Sequence, residues 1–497
     1  MGYPGKLITF ISLLLTLSLA ASAHAAQFIV TRSDDPTPGP CAIDDCSLRE
    51  AVIASNGNDQ NDTIVLEATT YSLTRQGADE NEAFTGDLDL ADHGNVLVFS
   101  GVSVGTTVID ATALNDRIFD VNIAEQDISF TQLTLRNGDA GAADGGAFRM
   151  GGGNGTLLFS DTRLQGNHAL RGGAVWACCN SFEGLIAERT VFFDNSADVS
   201  GGAINTSSGF IATIVDSTID MNDAGIFGGG VFGSQSDFFN LDNSTVSNNT
   251  AGSSGGGLQL ESLDSASLNN STVSGNEAVT GGGISTQFVE NLRLRNVTIT
   301  ENEASGSGGG FYGERDVESS TIANSILSGN TSSSSAPGAD CFLNNSSNID
   351  FTSLGFNIFG DISNCTLSGP DDLLGIDDPG LGPLTNNGGP TPTHGNLEGS
   401  PAIDAGDPSG CLDSNGVEFT TDQRGEPRPL NGRCDIGAFE SIFVPPSPVP
   451  TESPGGGGAE TESGGCAMGG SGGVHMTGFW ALLVLLSLGW GARRGMR

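Results

Sequence analysis

The chain has 497 residues, 74 of them glycine, and sets 59 acidic side chains against 19 lysines and arginines, a formal net charge of −40. Such a balance excludes the electrostatic footprint of a nucleic-acid binder and an unaided grip on polyanions such as polyuronates. Lys6 is the sole lysine, so a lysine-dependent phosphate loop is absent, as are a His-Glu-x-x-His string and a zinc-spaced Cys/His set.

Residues 1–25 read as a secretory signal: Lys6 supplies the charge, residues 7–19 the apolar core, and Ala23-His24-Ala25 the small-residue cleavage site. Export makes the nine cysteines candidates for disulfides. Proximity pairs Cys41 with Cys46, Cys341 with Cys365 and Cys411 with Cys434. The adjacent Cys178 and Cys179 form a vicinal bridge or stay as thiols, and Cys466 is left over.

Residues 26–61 read as a lid. Phe28, Ile29 and Val30 predict a strand, and a short helix follows from Leu48, with Ser47 and Glu50 at capping-box spacing and Asn56-Gly57 as its stop. The string Cys46-Ser47-Leu48-Arg49-Glu50-Ala51 resembles the signature of the bacterial CSLREA-domain family. That resemblance implies an exported surface protein built on a β-helix.

Residues 62–338 carry the main body. Thr63 to Asn137 predict about three irregular coils, and then a repeat sets in. Its opening marker occurs seven times, from Gly145-Gly146-Ala147-Phe148 and Gly172-Gly173-Ala174-Val175 to Gly308-Gly309-Gly310-Phe311. Its closing marker is an apolar residue three positions before an asparagine, from Leu164…Asn167 to Leu327…Asn330, with units of 26 to 29 residues. Each unit holds three short runs of period-two alternation and none of helical period, which predicts an all-β parallel β-helix with three strands per coil. Like then stacks on like. Phe148, Val175, Ile204, Val231, Leu258, Ile284 and Phe311 form an internal ladder, and the marker asparagines a hydrogen-bonded amide ladder at left-handed corners. Asn243, Asn270, Asn296 and Asn324 form a second amide ladder, continued by Asp161 and Asp216. The markers resemble the repeat of chlamydial polymorphic outer-membrane proteins, which implies a right-handed β-helix of the pectin-lyase-like class and a role in adhesion. No C-terminal autotransporter barrel like that of those proteins is expected from residues 444–497, so a different route to the surface is expected.

Residues 339–443 read as final coils and a closing cap. Ser400-Pro401-Ala402-Ile403-Asp404-Ala405-Gly406 and the run from Asp422 to Pro429 resemble the choice-of-anchor Q region of CSLREA-type proteins. Asp422, Arg424, Glu426 and Arg428 predict an ion-pair clasp on the last coil. Residues 444–473 read as a Pro/Gly/Ser linker, 474–492 as a transmembrane segment and 493–497 as a basic cytoplasmic tail. Gly464-Gly465-Cys466 resembles Gly-Gly-type C-terminal sorting tags of Gram-negative bacteria, which implies a rhomboid-like sorting protease and a protein exposed at the cell surface or outer membrane.

In each glycine-led strand the residue after the internal apolar position is expected to face solvent. These residues are Arg149, Trp176, Asn205, Phe232, Gln259, Ser285 and Tyr312. Aromatic rings among amides and a guanidinium suit stacking on sugars or protein contact, so Arg149, Trp176, Asn205, Phe232, Gln259 and Tyr312 form the candidate ligand surface. The expected function is a non-catalytic adhesion, structural or glycan-binding module without a cofactor. The alternative is a polysaccharide lyase or glycosidase, for which Arg293, Arg295, Asp87 and Asp89 are the residues to weigh, with calcium hinted at by Asp413-Ser414-Asn415-Gly416. His93, His168 and His394 read as turn or surface residues.

Overall fold

The computed structural model describes residues 25–442 apart from 78–80, 92–95, 122–125, 153–154, 179–183, 210, 237, 316–318, 334–337 and 345–349. The secretory signal, linker, membrane segment, basic tail and Gly464-Gly465-Cys466 lie outside the described residues, as does His93. Among the described residues no helix is long and apolar enough to cross a membrane.

The chain winds into a parallel β-solenoid whose three sheets contain 20, 12 and 7 strands. A full coil has four short strands where the sequence suggests three, for example Val175–Cys178, Gly184–Glu188, Val191–Phe193 and Ser196–Ser200. The first two lie in one sheet, and in two coils they merge into the 12-residue strands Leu258–Asn269 and Ile284–Arg295. The internal ladder from Phe148 to Phe311 is paired residue for residue, and every member is buried. In the earlier coils Phe99, Phe130 and Phe159 stack on one another, with ring centroids 4.7 and 5.4 Å apart. The first marker glycine of each unit makes the bend between sheets. At Gly228 φ is +64°, and a Cβ there would lie 2.4 Å from the Val231 carbonyl oxygen, so only glycine fits.

The helix Leu48–Asn56 closes the first coil through the expected capping box: Ser47 Oγ accepts from Glu50 N, and Glu50 Oε2 accepts from Ser47 N at 2.8 Å. Its Arg49 is fully buried, paired with Asp35 at 2.7 Å and donating to the carbonyls of Ala83, Gly86 and Asp87. The disulfides Cys41–Cys46, Cys341–Cys365 and Cys411–Cys434 are formed. Cys178 is also disulfide-bonded, to a partner outside the described residues.

The marker asparagines form a continuous buried ladder. From Asn167 through Asn195, Asn222, Asn249, Asn276 and Asn302 to Asn330, each Nδ2 donates to the Oδ1 of the next at 2.8–2.9 Å. The same oxygen takes the backbone N–H of the preceding asparagine, at 2.9–3.1 Å. The final acceptor is Asp340, whose Oδ1 receives both Asn330 donors at 2.8 Å. The left-handed corner belongs to the residue before each of these asparagines, such as Asp194, Met221 and Asn248, rather than to the asparagine itself. A hydroxyl ladder runs beside it, in which Thr190, Ser217 and Ser244 each donate their N–H to the next Oγ at 3.0–3.1 Å.

The expected second amide ladder serves a different purpose. Asn243, Asn270, Asn296 and Asn324 do have positive φ. Most of their polar contacts, however, go to residues 377–442, which leave the coils after the last strand, Leu373–Leu374, and run back along the outside of the 12-stranded sheet. Of the coils and cap expected for 339–443, Cys341–Leu343, Phe351–Gly355, Ile358–Phe359 and Leu373–Leu374 do continue the coils, and this strap stands where further coils and an end cap are expected. Its clasp is built on the flank of the Asn270 coil: Arg428 is fully buried, pairs with Glu440 at 3.1 Å and donates to Asn270 Oδ1 at 2.8 Å. Arg424 pairs with Asp422 at 2.7 Å and lies 3.6 Å from the Phe439 ring centroid. Glu426 enters through its backbone: its N–H donates to Asp422 Oδ1 and its carbonyl accepts the Asp422 N–H. A lone strand wall with threonine and serine pointing outward is poorly closed, and a strap satisfies those hydroxyls, as Gln423 does for Thr245 and Thr272.

Two outcomes test these contacts. Asn249→Leu leaves the N–H and Nδ2 of Asn222 without their acceptor inside the coil and is expected to cost about 2–4 kcal/mol in a denaturant titration. Arg428→Met leaves Glu440 buried and uncompensated, a loss of about 3–5 kcal/mol. Limited proteolysis and hydrogen exchange should then show residues 377–442 opening while the asparagine-ladder coils stay protected.

Candidate functional site: the outer crease and its acidic end

Register pairing sets one outward column along the glycine bend: Asp89, Asp120, Arg149, Trp176, Asn205, Phe232, Gln259, Ser285, Tyr312 and Phe342. All six candidate ligand residues are therefore brought into one line. They do not all face solvent: Trp176 is 6% exposed, Asn205 2% and Gln259 4%. The glycine bend folds the incoming segment towards the outgoing strand, so the residue five positions earlier leans over the column. Arg171 covers Trp176 at 5.5 Å, Ser200 bonds Asn205 at 2.7 Å, and Ser254 bonds Gln259 at 2.7 Å. The result is a pinched crease filled largely by its own side chains. Aromatic rings remain accessible where Phe227, 37% exposed, stacks on Phe232 at 6.1 Å, and where the half-buried Tyr312 and Phe342 stack at 5.6 Å.

Trp176 lies between two guanidiniums, Arg149 at 5.6 Å and Arg171 at 5.5 Å, and among the described residues its buried Nε1 has no hydrogen-bond partner. Arg149 in turn pairs with Asp120 at 2.7 Å. At this end of the crease Asp87, Asp89 and Asp120 converge, with one oxygen from each inside a 4.8 Å cluster, and all three are buried. Arg117 also pairs with Asp120, and its Nε stands 3.7 Å from Asp87 without bonding it. Burial first, then the neighbouring Asp116, Asp89 and Asp120 carboxylates, push the Asp87 carboxyl up to about 8. Asp87 therefore holds its proton well above the usual carboxylate range, beside an Asp120 carboxylate paired with Arg117 and Arg149. Calcium wants six to eight oxygens. Here Asp120 is already committed to two arginines, and three carboxyls alone do not complete such a shell, so the described donors read first as an ion-pair network.

The marker positions in one coil match a described repeat. A family model for the Chlamydia polymorphic membrane protein (Chlamydia_PMP) repeat fits residues 189–207. That span contains Phe192…Asn195 and Gly201-Gly202-Ala203-Ile204, one copy of each marker. No curated protein matches the chain.

The other residues weighed for chemistry are scattered. Arg295 is buried beneath the strap, donating to the carbonyls of Leu294 and Thr321 and to Thr321 Oγ1. Asp413 Oδ1 accepts the N–H groups of Asn415 and Val417 at 2.8 Å, which makes the 413–416 string a turn. His168 is half-exposed between Asp139 and Asp198. His394 is a correction: it is buried, its Nδ1 donates to the Gly382 carbonyl at 2.7 Å, and Ser274 Oγ sits 2.8 Å from Nε2. Both partners are closed to solvent, so this contact holds the strap down. Sequence reasoning missed Asp120, Arg117 and Arg171. Their signal lay in being in phase with Asp89 and Trp176, which the unequal early coils concealed.

A carboxyl with a folded pKa of about 8 and an ordinary value of 3.8 binds its proton more tightly folded than unfolded. The contribution of Asp87 to stability is therefore full below about pH 4 and is lost as pH rises towards 8. Asp87→Asn should flatten that part of the decline in denaturation midpoints measured at about pH 5 and 8, while Asp139→Asn, at the exposed histidine, should not.

Proposed function

We propose that the protein is an exported β-solenoid, wound right-handed, that serves as a non-catalytic structural or adhesion module at the surface of a Gram-negative cell. What carries this reading is the outward column set at the same position of coil after coil along an extended face, with stacked aromatic pairs at Phe227/Phe232 and Tyr312/Phe342. A repeated face meets an extended or multivalent partner better than a single small substrate, and aromatic pairs supply contact area at low entropic cost. Three disulfides favour an oxidising compartment outside the cytoplasm, and the matched repeat belongs to a membrane-protein family. The partner in this reading is a surface glycan or protein. Retention runs through the C-terminal membrane segment and a sorting protease acting near Gly464-Gly465-Cys466, in the manner of CSLREA and choice-of-anchor proteins. With Trp176 covered, the contact residues reduce to Arg149, Phe232 and Tyr312, with Phe342 added. Phe232→Ala with Tyr312→Ala should lower adhesion of expressing cells, or binding on a glycan array, at least tenfold without moving the melting temperature by more than a few degrees. Unchanged binding would remove the crease as the contact surface.

One observation favours a second reading, glycoside hydrolysis. A carboxyl held up to about 8 at Asp87, with the Asp89 and Asp120 carboxyls beside it, is a grouping of the kind that acid-and-nucleophile chemistry uses. Reducing-sugar release from a polysaccharide panel, abolished by Asp87→Asn, would favour it over the adhesion reading.

A further inference from the structure

The strap encloses a cleft that neither the crease nor the ion-pair network uses. It lies between the outer face of the coils and the loop from Asp413 to Phe419, and has a volume of about 430 Å³, within the range of small-molecule sites. One wall is ruled by the coils: Asp242 pairs in register with Asn269, and Asn240 with Ser267, so successive polar groups stand one strand spacing, about 4.8 Å, apart. The other wall is held rigid. Cys411–Cys434 closes the base of the loop, Asp413 caps its turn, and Ser414 N donates to Asn269 Oδ1 at 3.1 Å.

The polar groups in this cleft are only half used. Asn240 Oδ1 accepts from Ser267 at 2.7 Å, and among the described residues its Nδ2 has no protein partner. Asp242 Oδ1 accepts from Asn269 Nδ2 at 2.7 Å, and Asp413 spends Oδ1 on its own turn, so each carboxylate keeps its second oxygen. Free carboxylate oxygens accept from hydroxyls, a free amide donates to them, and the half-buried Phe419 ring offers a flat apolar face. Together these are the requirements of a polyhydroxylated ring with one C–H face. No arginine or histidine lines the cleft, while two aspartates do, so carboxylated, sulfated or phosphorylated sugars meet uncompensated repulsion.

We infer that the cleft between the Asn240–Asn269 wall and the Asp413–Phe419 loop is a binding site for a neutral sugar. It goes beyond the surface-module reading and uses none of the crease residues.

Saturation-transfer NMR on the purified full chain tests it, with glucose, galactose, mannose, N-acetylglucosamine and their disaccharides as probes. Galacturonate serves as the anionic comparison, and calcium chloride is titrated separately. At least one neutral sugar should bind, with affinity falling at least tenfold in Asn240→Ala and Phe419→Ala and staying unchanged in Phe232→Ala. Should Phe419→Ala loosen the strap, Asn240→Ala on the coil wall still decides the matter. Silence from every neutral sugar, galacturonate binding as well as they do, wild-type binding in Asn240→Ala, or calcium bound through Asp242 with no sugar response would each overturn the assignment. Sugar binding retained in Phe232→Ala cells that no longer adhere would separate this site from the crease.

Discussion

The solenoid depends on one repeated constraint, the stacking of equivalent residues a strand spacing apart. Hydrophobic burial alone would tolerate slippage between coils, since one aliphatic residue can replace another in a column. The buried amides do not tolerate it. Each ladder asparagine offers one oxygen to two donors of the coil before it, and a shift by a single residue would bury several donors unpaired. The amide ladder therefore sets the register, and the apolar columns supply most of the driving force. The ladder ends on Asp340 instead of an amide, and burial lifts that carboxyl to about 6. The last acceptor of the column is thus the one whose protonation state depends on pH.

The same constraint generates the outer features. A glycine bend that must recur at one height in every coil also recurs as a crease, and whatever stands beside it is repeated or varied along a straight line. Variation along the line is chemically graded. It begins with carboxylates and arginine at Asp89, Asp120 and Arg149, alternates rings and amides from Trp176 to Gln259, and ends with the rings of Tyr312 and Phe342. Sequence drift at a single position of the unit is enough to place different chemistry at different distances from the lid, without altering the coil.

Much of this was legible in the amino-acid sequence because a stacked fold writes its geometry as periodicity. The glycine markers, the column from Phe148 to Phe311, the capping box at Ser47 and Glu50 and three cysteine pairs follow from local spacing. The strap did not, because Gln423, Arg428 and His394 find partners 120 to 179 residues away, and no periodic signal links them. Solvent exposure along the crease was misjudged for a related reason. Alternation gives the face a side chain points to, but not that Arg171 or Ser254 bends over it from the neighbouring sheet. The hydroxyl ladder was readable, since Thr190, Ser217, Ser244 and Ser271 each follow a corner residue, but serine is so common in this chain that its recurrence carried little weight.

The backward course of the strap has a consequence for how the molecule is made. Its hydrogen bonds reach residues separated by as many as 179 positions, whereas the coils pair with neighbours no more than 38 residues away. A chain delivered from its N-terminus can wind turn upon turn as it emerges, with only short-range closures to complete. The flank of the middle turns, with its threonines at 245, 272 and 298, must then wait bare until the final hundred residues arrive. During that interval the nascent solenoid is most open to a chaperone or to another copy of itself, and docking of residues 377–442 ends that exposure.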